Sequence, residues 1–287
     1  MPKVNIKGLL LEVIEQGIGD PVVFVHGSAS DYRTWQSQLD DIGNHHRAIA
    51  YSRRYHWPNA RIPEGVDYSM TEHVDDLAAL LDSLAAGPVH LVGHSYGAFV
   101  AVLLAGRQPR RVRTLVLAEP PVVTLFVSNK PKPLEFVRLL CRRPRTATAL
   151  VRFGLTGLGP ATAAARRGDM DEAMRIFGTA VLGAEFYQGL SSSRLGQVRA
   201  NSIRAEFLGS GFPALADEDL RGTHVPTLLV SGQHSPDFFH RLLDRLEELL
   251  PRAERIEIPG ASHIMHEDNA AAYNAAICSF LAAHKAV

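Results

Sequence analysis

The chain has 287 residues, 46% of them hydrophobic, with 30 lysines and arginines balanced by 30 aspartates and glutamates. That length and apolar fraction describe a globular protein with one large α/β domain or two smaller ones, and the balanced charge supplies no long-range field to draw nucleic acid or a membrane surface. The two cysteines, Cys141 and Cys278, lie far apart in segments that read as helical, so no disulfide framework is expected and a cytoplasmic setting is the default.

Two short strands open the chain, Val4–Lys7 and Leu9–Glu15; charges sit among their apolar positions and no small-residue cleavage site follows, which does not fit a signal peptide. Pro21–Val25 reads as a third strand, followed by a helix over Tyr32–Ile42, a strand over His46–Tyr51 and a helix over Thr71–Leu84. The stretch PVHLVGHSYGAFVAVLLAG, residues 88–106, starts as a buried strand at Val89–Val92 and ends as an apolar helix over Ala98–Ala105, too short to span a bilayer. Val112–Ala118 is again branched and apolar. Strands that alternate with helices pair in parallel, because parallel neighbours need a crossover between them.

From Pro120 to Arg221 the strand-like runs stop, and helix formers, scattered Gly and Pro, and arginines such as Arg138, Arg142, Arg143, Arg166 and Arg167 take over. The alternation resumes with a strand over Thr227–Ser231, a helix over Phe238–Leu250, a strand over Arg255–Ile258 and a last helix over Asn269–Ala283. Residues 1–119 and 222–287 are thus expected to form a core domain, with 120–221 a helical insertion.

Between the strand at Val89 and the helix at Ala98 stand Gly93-His94-Ser95-Tyr96-Gly97. So tight a strand-to-helix turn forces its central residue into a strained conformation, and the two elements approach only if the positions two before and two after carry no side chain. The consequence is a Ser95 hydroxyl exposed above the sheet, at a helix start whose unpaired N–H groups favour developing negative charge. This is the G-x-S-x-G pattern of a nucleophile elbow. A Ser hydroxyl is a weak nucleophile at neutral pH, so it needs a positioned base, and the base needs an acid to fix its tautomer.

A parallel sheet with this elbow ahead of a helical insertion resembles the α/β-hydrolase fold over essentially the whole chain. In that superfamily the base follows the last strand, which implies His263 in Gly260-Ala261-Ser262-His263, with His266 as second choice. The oxyanion hole is implied at the backbone N–H groups of Tyr96 and of Ser28 in VVFVHGSAS, with Ala29 as the near alternative; His26 reads as a loop-ordering side chain and the Tyr96 phenol as packing. The acid departs from the commonest pattern: where most members have Gly-x-x-Asp, this chain has Gly232-Gln233-His234-Ser235. Two carboxylates remain. Glu119 closes the strand in LVLAEPP, at the position used by haloalkane dehalogenases and zearalenone-type lactone hydrolases, with two prolines to stiffen the chain behind it. Asp237 stands at a helix start, where a helix cap is reason enough for a carboxylate. Glu119 is preferred and Asp237 is kept as the alternative acid.

Other chemistries find little footing. No His-Glu-x-x-His occurs, His263-x-x-His266-Glu267 does not reproduce its inverted form, and His45-His46 reads as a loop pair, so no metal or other cofactor is expected. Gly154–Gly168 is glycine-rich but follows no strand and carries no P-loop Lys. The arginines of the insertion read as a solvated face, with carboxylate binding as the lesser alternative. In YSRRYHWPN (Tyr51–Asn59), Arg53 or Arg54 is expected to keep a structural salt bridge, and His56 and Trp57 to line the pocket mouth or pack beneath the insertion.

The leading expectation is a cofactor-independent serine hydrolase that cleaves a carboxylic ester or lactone through an acyl-enzyme. The alternatives are a carbon–carbon bond hydrolase or perhydrolase with the same triad, and a ligand-binding protein with a vestigial one. The expected partner is a small, mostly apolar acyl substrate, with a homodimer as a candidate assembly and neither nucleic acid nor membrane as a partner.

Overall fold

The computed structural model describes residues 3–63, 66–85, 87–201 and 203–284. Its eight strands are β1 (Lys3–Ile6), β2 (Leu9–Gln16), β3 (Pro21–Val25), β4 (Arg47–Tyr51), β5 (Val89–His94), β6 (Val112–Ala118), β7 (Thr227–Gly232) and β8 (Ala253–Ile258). They form one sheet in the order β1-β2-β4-β3-β5-β6-β7-β8. Only β1 and β2 run antiparallel to their neighbours; from β4 across to β8 every pairing is parallel.

Helices cover both faces: α1 (Gln36–Ile42), α2 (Met70–Ser83) and α3 (Tyr96–Arg107) precede β6 or follow β5, and α4 (Pro133–Arg142), α5 (Pro144–Phe153), α6 (Gly159–Arg166), α7 (Met170–Leu182), α8 (Ala184–Gln188), α9 (Ser192–Ala200), α10 (Arg204–Leu208) and α11 (Asp217–Arg221) fill the interval between β6 and β7. The chain closes with α12 (Asp237–Leu249), α13 (Met265–Asp268) and α14 (Ala270–Ala283). Among the described residues no strand falls between β6 and β7, as the loss of branched runs after Ala118 predicts.

The strand alternation divides the core in two. Val23 and Val25 of β3 face a cluster with Leu77, Leu80, Phe99, Leu103, Leu242 and Leu246, on the side of α2, α3 and α12. Val22 and Phe24 face the opposite side, packing with Trp35, Leu39, Tyr273 and Ile277 around α1 and α14. Both faces are buried, which is why these strands read as continuous apolar runs rather than alternating ones. α3 lies between the sheet and the helices around it, so all its residues from Tyr96 to Ala105 are buried. α12 instead buries only one side, through Leu242, Leu243, Leu246 and Leu249 at helical spacing. α2 starts at a capping box in which the Ser69 hydroxyl accepts from the Glu72 amide and the Glu72 carboxylate accepts from the Ser69 amide.

The boundaries nearest Ser95 and the first helix differ from the sequence expectation. β5 continues through Gly93 to His94, and α3 starts at Tyr96 rather than Ala98, so Ser95 alone makes the turn. The expected helix over Tyr32–Ile42 opens with a 3₁₀ turn at Tyr32–Trp35, where the Asp31 carboxylate accepts from the Arg33 amide.

The turn's glycines are set by contact. A Cβ at Gly97 would stand 2.2 Å from the Val25 carbonyl oxygen and 2.5 Å from that of His26, and one at Gly93 would stand 2.5 Å from the Ala98 Cα. Since both obstacles are backbone, Gly97→Ala is expected to destabilise the protein by about 1–3 kcal/mol. Gly106→Ala, also in α3 but with nothing within 4 Å of the added carbon, should be neutral or stabilising by up to ~1 kcal/mol. Urea unfolding of the two variants checks the contrast.

Candidate active site

Three elements bring Ser95, His263 and Glu119 to the carboxyl edge of the sheet. Ser95 sits between β5 and α3 at φ 51°, ψ −120°, in the left-handed region that a residue with a side chain avoids. Its amide donates to the Ala118 carbonyl at 2.7 Å, tying the turn to the end of β6. The next residue of that strand end is Glu119, also at positive φ (48°) and fully buried.

The Glu119 carboxylate is held at both oxygens. Oε1 accepts from the Gly232 amide at 3.0 Å, at the end of β7, and Oε2 pairs with His263 Nδ1 at 2.5 Å. The end of β7, where the resemblance leads one to look for an acid, thus supplies a backbone donor to a carboxylate from the neighbouring strand. Ser235 occupies the vacated position with its hydroxyl buried and unpartnered among the described residues.

Asp237 makes its contacts elsewhere. It is the first residue of α12, its side chain is 59% exposed, and it pairs with Arg241 one turn on. It is also not a cap: Pro236 holds the N-cap position and no side chain caps the helix. The Asp237 carboxylate is thus committed to an exposed i,i+4 pair at a helix start, while the contact with His263 Nδ1 is made by Glu119.

His263 is nearly buried, and three contacts fix it. Nδ1 meets Glu119, the ring stacks on Phe239 with centroids 4.0 Å apart, and the backbone carbonyl accepts from His94 Nε2 at 2.8 Å. The loop also needs Gly232, because a Cβ there would lie 2.1 Å from the Ser262 carbonyl oxygen. His266, the second choice for the base, is buried elsewhere: its Nε2 meets the Thr34 hydroxyl at 2.8 Å, its ring lies 4.5 Å from Trp35, and burial lowers it to about 4.

Ser95 and His263 line one cavity together with Ser28, Ala29 and Ser30 from the loop after β3. Its roof is mostly apolar and comes from the insertion, with Met174, Phe177 and Val181 of α7 above the serine. Ala29 has positive φ (49°), and a Cβ at Gly27 would lie 2.8 Å from His94 Nδ1, so this loop is pressed against the elbow. Neither the Ser28 nor the Tyr96 amide donates to another group among the described residues. These two N–H groups belong to the residue that follows Ser95 and to a residue that lines the same cavity. The Tyr96 phenol ring packs instead, under the Arg53 guanidinium at 4.4 Å and against His73.

The Ser28 loop is held by Arg53 and His26, both expected in structural roles, and by Glu206, which sequence reading missed. Arg53 is fully buried and its guanidinium donates to the Gly27 carbonyl at 3.0 Å and to Glu206 of α10 at 2.9 Å. The Ser28 side chain also helps to hold the Glu206 carboxyl down. His26 orders the same loop, accepting from the Arg53 amide at its Nε2 and meeting the Gly27 carbonyl at its Nδ1. Burial pushes His26, His56 and His73 down, and Arg53 beside them pushes the same way, so the ring of imidazoles around the cation stays neutral. Arg54 pairs separately, with Asp76 and Glu72 of α2. His94, Phe239 and Glu206 carried no local pattern that singled them out.

The comparisons with known proteins point one way for fold and several ways for reaction. Residues 22–276 match the model of the alpha/beta hydrolase family. The 2-(acetamidomethylene)succinate hydrolase of Mesorhizobium japonicum is 27% identical over 275 residues, 92% of this chain and 89% of that protein. The 2-hydroxy-6-oxo-2,4-heptadienoate hydrolase of Pseudomonas putida is 35% identical over 113 residues, 38% of this chain and only 41% of its own length. The solved enol-lactonase of Burkholderia xenovorans superposes with a TM-score of 0.71 at 20% identity, covering 98% of this chain and 100% of that one.

Burial alone would raise the Glu206 carboxyl, but Arg53, His56 and Ser28 outweigh it and hold it down from its ordinary 4.5 to about 2. A carboxyl depressed on folding contributes stability that is complete above its unfolded value and is lost as pH falls toward its folded one. The wild type should therefore lose this contribution between pH 4.5 and about 2, and Glu206→Ala should lack it. Near neutral pH that variant is expected to be less stable by about 3–5 kcal/mol, since Arg53 is left buried and unpaired. Urea unfolding as a function of pH tests both.

Proposed function

The chain belongs to the alpha/beta hydrolase family, and from that premise we propose that it is a serine hydrolase cleaving a carboxylic ester or lactone through an acyl-enzyme, without a cofactor. The observation that carries the reading is the 2.5 Å contact of Glu119 with His263 Nδ1, made by a histidine that shares the Ser95 cavity.

In this reaction Ser95 Oγ attacks the acyl carbon while His263 Nε2 takes its proton. Glu119 keeps the Nδ1–H tautomer in place and stabilises the imidazolium, while the hydrogen bond from the Gly232 amide fixes its carboxylate. The carbonyl oxygen becomes negative as the tetrahedral intermediate forms and is met by the Ser28 and Tyr96 amides, whose partial charges are preorganised by the loop contacts and the α3 start. Collapse breaks the bond to the alcohol oxygen, which leaves with the proton from His263. Water then attacks the acyl-Ser95, giving its proton to His263, and Ser95 regains its hydrogen as the acid departs. For a lactone, the alcohol and acid stay in one product.

The likeness to an enol-lactonase fits this chemistry, since an enol leaves more readily than a simple alcohol. The insertion acts as a cap, and its apolar roof over Ser95 favours an apolar acyl group oriented by few polar contacts.

Ser95→Ala and His263→Ala should each lower kcat on a responsive ester or lactone by ~10³-fold or more, with unfolding unchanged. A serine-directed phosphonate should label Ser95 alone. Glu119→Gln is expected to cost ~10³–10⁴-fold in kcat, whereas Asp237→Asn should stay near wild type and shift stability by less than ~0.5 kcal/mol. Steady-state kinetics on a panel of esters and lactones reads all four variants. Normal turnover by folded Ser95→Ala removes the mechanism, and a crippled Asp237→Asn beside an active Glu119→Gln removes the acid assignment.

A further inference from the structure

We propose that the outward side of the α4–α5 helical pair is a docking surface for an anionic phospholipid bilayer. The balanced charge of the whole chain conceals a local excess: between Glu119 and Asp169 the sequence has a single acid, Glu135, while residues 130–152 alone hold Lys130, Lys132, Arg138, Arg142, Arg143, Arg145 and Arg152. Arg143 is committed to Glu248, but Arg138, Arg142, Arg145 and Arg152 form no ion pair among the described residues.

The same side is greasy. Eleven large hydrophobic side chains are exposed among the described residues, and six of them are Leu134, Val137 and Leu140 of α4, Val151 of α5, and Leu155 and Leu158 in the turn that follows. These are not core positions that happen to show an edge, because each helix buries a different set: Leu139 for α4, and Thr146, Ala147, Ala149 and Leu150 for α5. α4 is thus apolar inward and both apolar and cationic outward, with Arg138 and Arg142 beside its exposed aliphatic side chains, whereas Arg145 and Arg152 of α5 line a cleft shared with α7 and the start of α12.

An aqueous surface gains nothing from six bare aliphatic side chains, so a partner is implied, and its chemistry follows from the charge. A second copy of this chain would bring the same cations face to face. An anionic bilayer answers both features at once, since its phosphates meet the arginines and its acyl boundary receives the aliphatic side chains. No helix among the described residues is long and apolar enough to cross a membrane, so the association is a peripheral one. The surface is also held in shape: α5 is fixed to the core by Phe153, stacked on Phe238 with centroids 4.2 Å apart. The cavity roof over Ser95 belongs to α7, α8 and α9, so docking through α4 and α5 leaves it uncovered.

Co-sedimentation with phosphatidylcholine vesicles and with equimolar phosphatidylcholine–phosphatidylglycerol vesicles tests this, and its outcome does not depend on which bond Ser95 cleaves. The full chain should bind only the anionic vesicles and be released by high salt. Each cation near such a surface is worth roughly fivefold in partition, so reversing two, Arg138→Glu with Arg142→Glu, should weaken binding by at least ~20-fold. Leu134→Asn with Leu155→Asn should weaken it without altering the salt dependence, and both pairs should keep wild-type melting and turnover of a soluble ester. Equal binding to both vesicles, or to neither, overturns the proposal. So does a concentration-dependent dimer in sedimentation velocity that the same variants dissociate, which would give the face to a second copy.

Discussion

Around Ser95 the backbones of several elements approach so closely that no Cβ fits between them. Gly97 lies against the carbonyls of Val25 and His26, Gly93 against Ala98, and Gly232 against Ser262. These contacts draw the turn after β5, the loop after β3 and the loop after β8 onto one another, and they are what allow groups from four strands to meet at one edge of the sheet. The conformational cost shows in the dihedrals. Of the six non-glycine residues with positive φ among those described, Ala29, Ser95 and Glu119 surround this meeting point. A strained residue persists only where its surroundings over-determine it, and here the surroundings are the glycine contacts and the parallel ladders on each side.

Burial then dictates the polar arrangement. A carboxylate removed from water has to be hydrogen-bonded or paired, and the two buried carboxylates near the cavity solve that requirement differently. Glu119 accepts from one backbone amide and contacts one imidazole. Glu206 pairs with a fully buried guanidinium that also donates to the Gly27 carbonyl, in the loop that carries Ser28. The first orients a ring; the second clamps a loop, and because Glu206 lies in the insertion while Arg53 follows β4, it also anchors the insertion to the sheet. His94 and Phe239 complete the fixing of His263 through its carbonyl and its ring face. His263, which lines one cavity with Ser95, is therefore held by three contacts before any ligand arrives.

Much of this was legible in the chain itself, for identifiable reasons. Branched apolar runs bounded by turns mark strands buried on both faces, and their interruption after Ala118 marks the insertion. The G-x-S-x-G spacing is a statement about sterics within five residues, which is why it survives as a local pattern. Pro120 and Pro121 similarly flag Glu119, since a residue followed by two prolines has few conformations left. Helix ends were less legible: whether α3 starts at Tyr96 or Ala98 depends on hydrogen bonds that Ser95 makes only once β6 is beside it.

What the sequence by itself determined is thus the set of elements, the strained serine and the short list of groups placed near strand ends, because each of these is written in residues that are neighbours along the chain. What only the tertiary structure decided is which of those groups meet. Glu119 and His263 are 144 residues apart, Arg53 and Glu206 are 153 apart, and His94 and His263 are 169 apart. No local pattern encodes such pairs; those of His263 with Glu119 and His94 follow from the order β5-β6-β7-β8, which sets the ends of these strands side by side, and from the close packing that glycine permits there, while Arg53–Glu206 follows from the packing of the insertion over the end of β4. The exposed Asp237–Arg241 pair and the cationic, aliphatic outer side of α4 and α5 were settled at the same level, since exposure is a property of packing and not of composition.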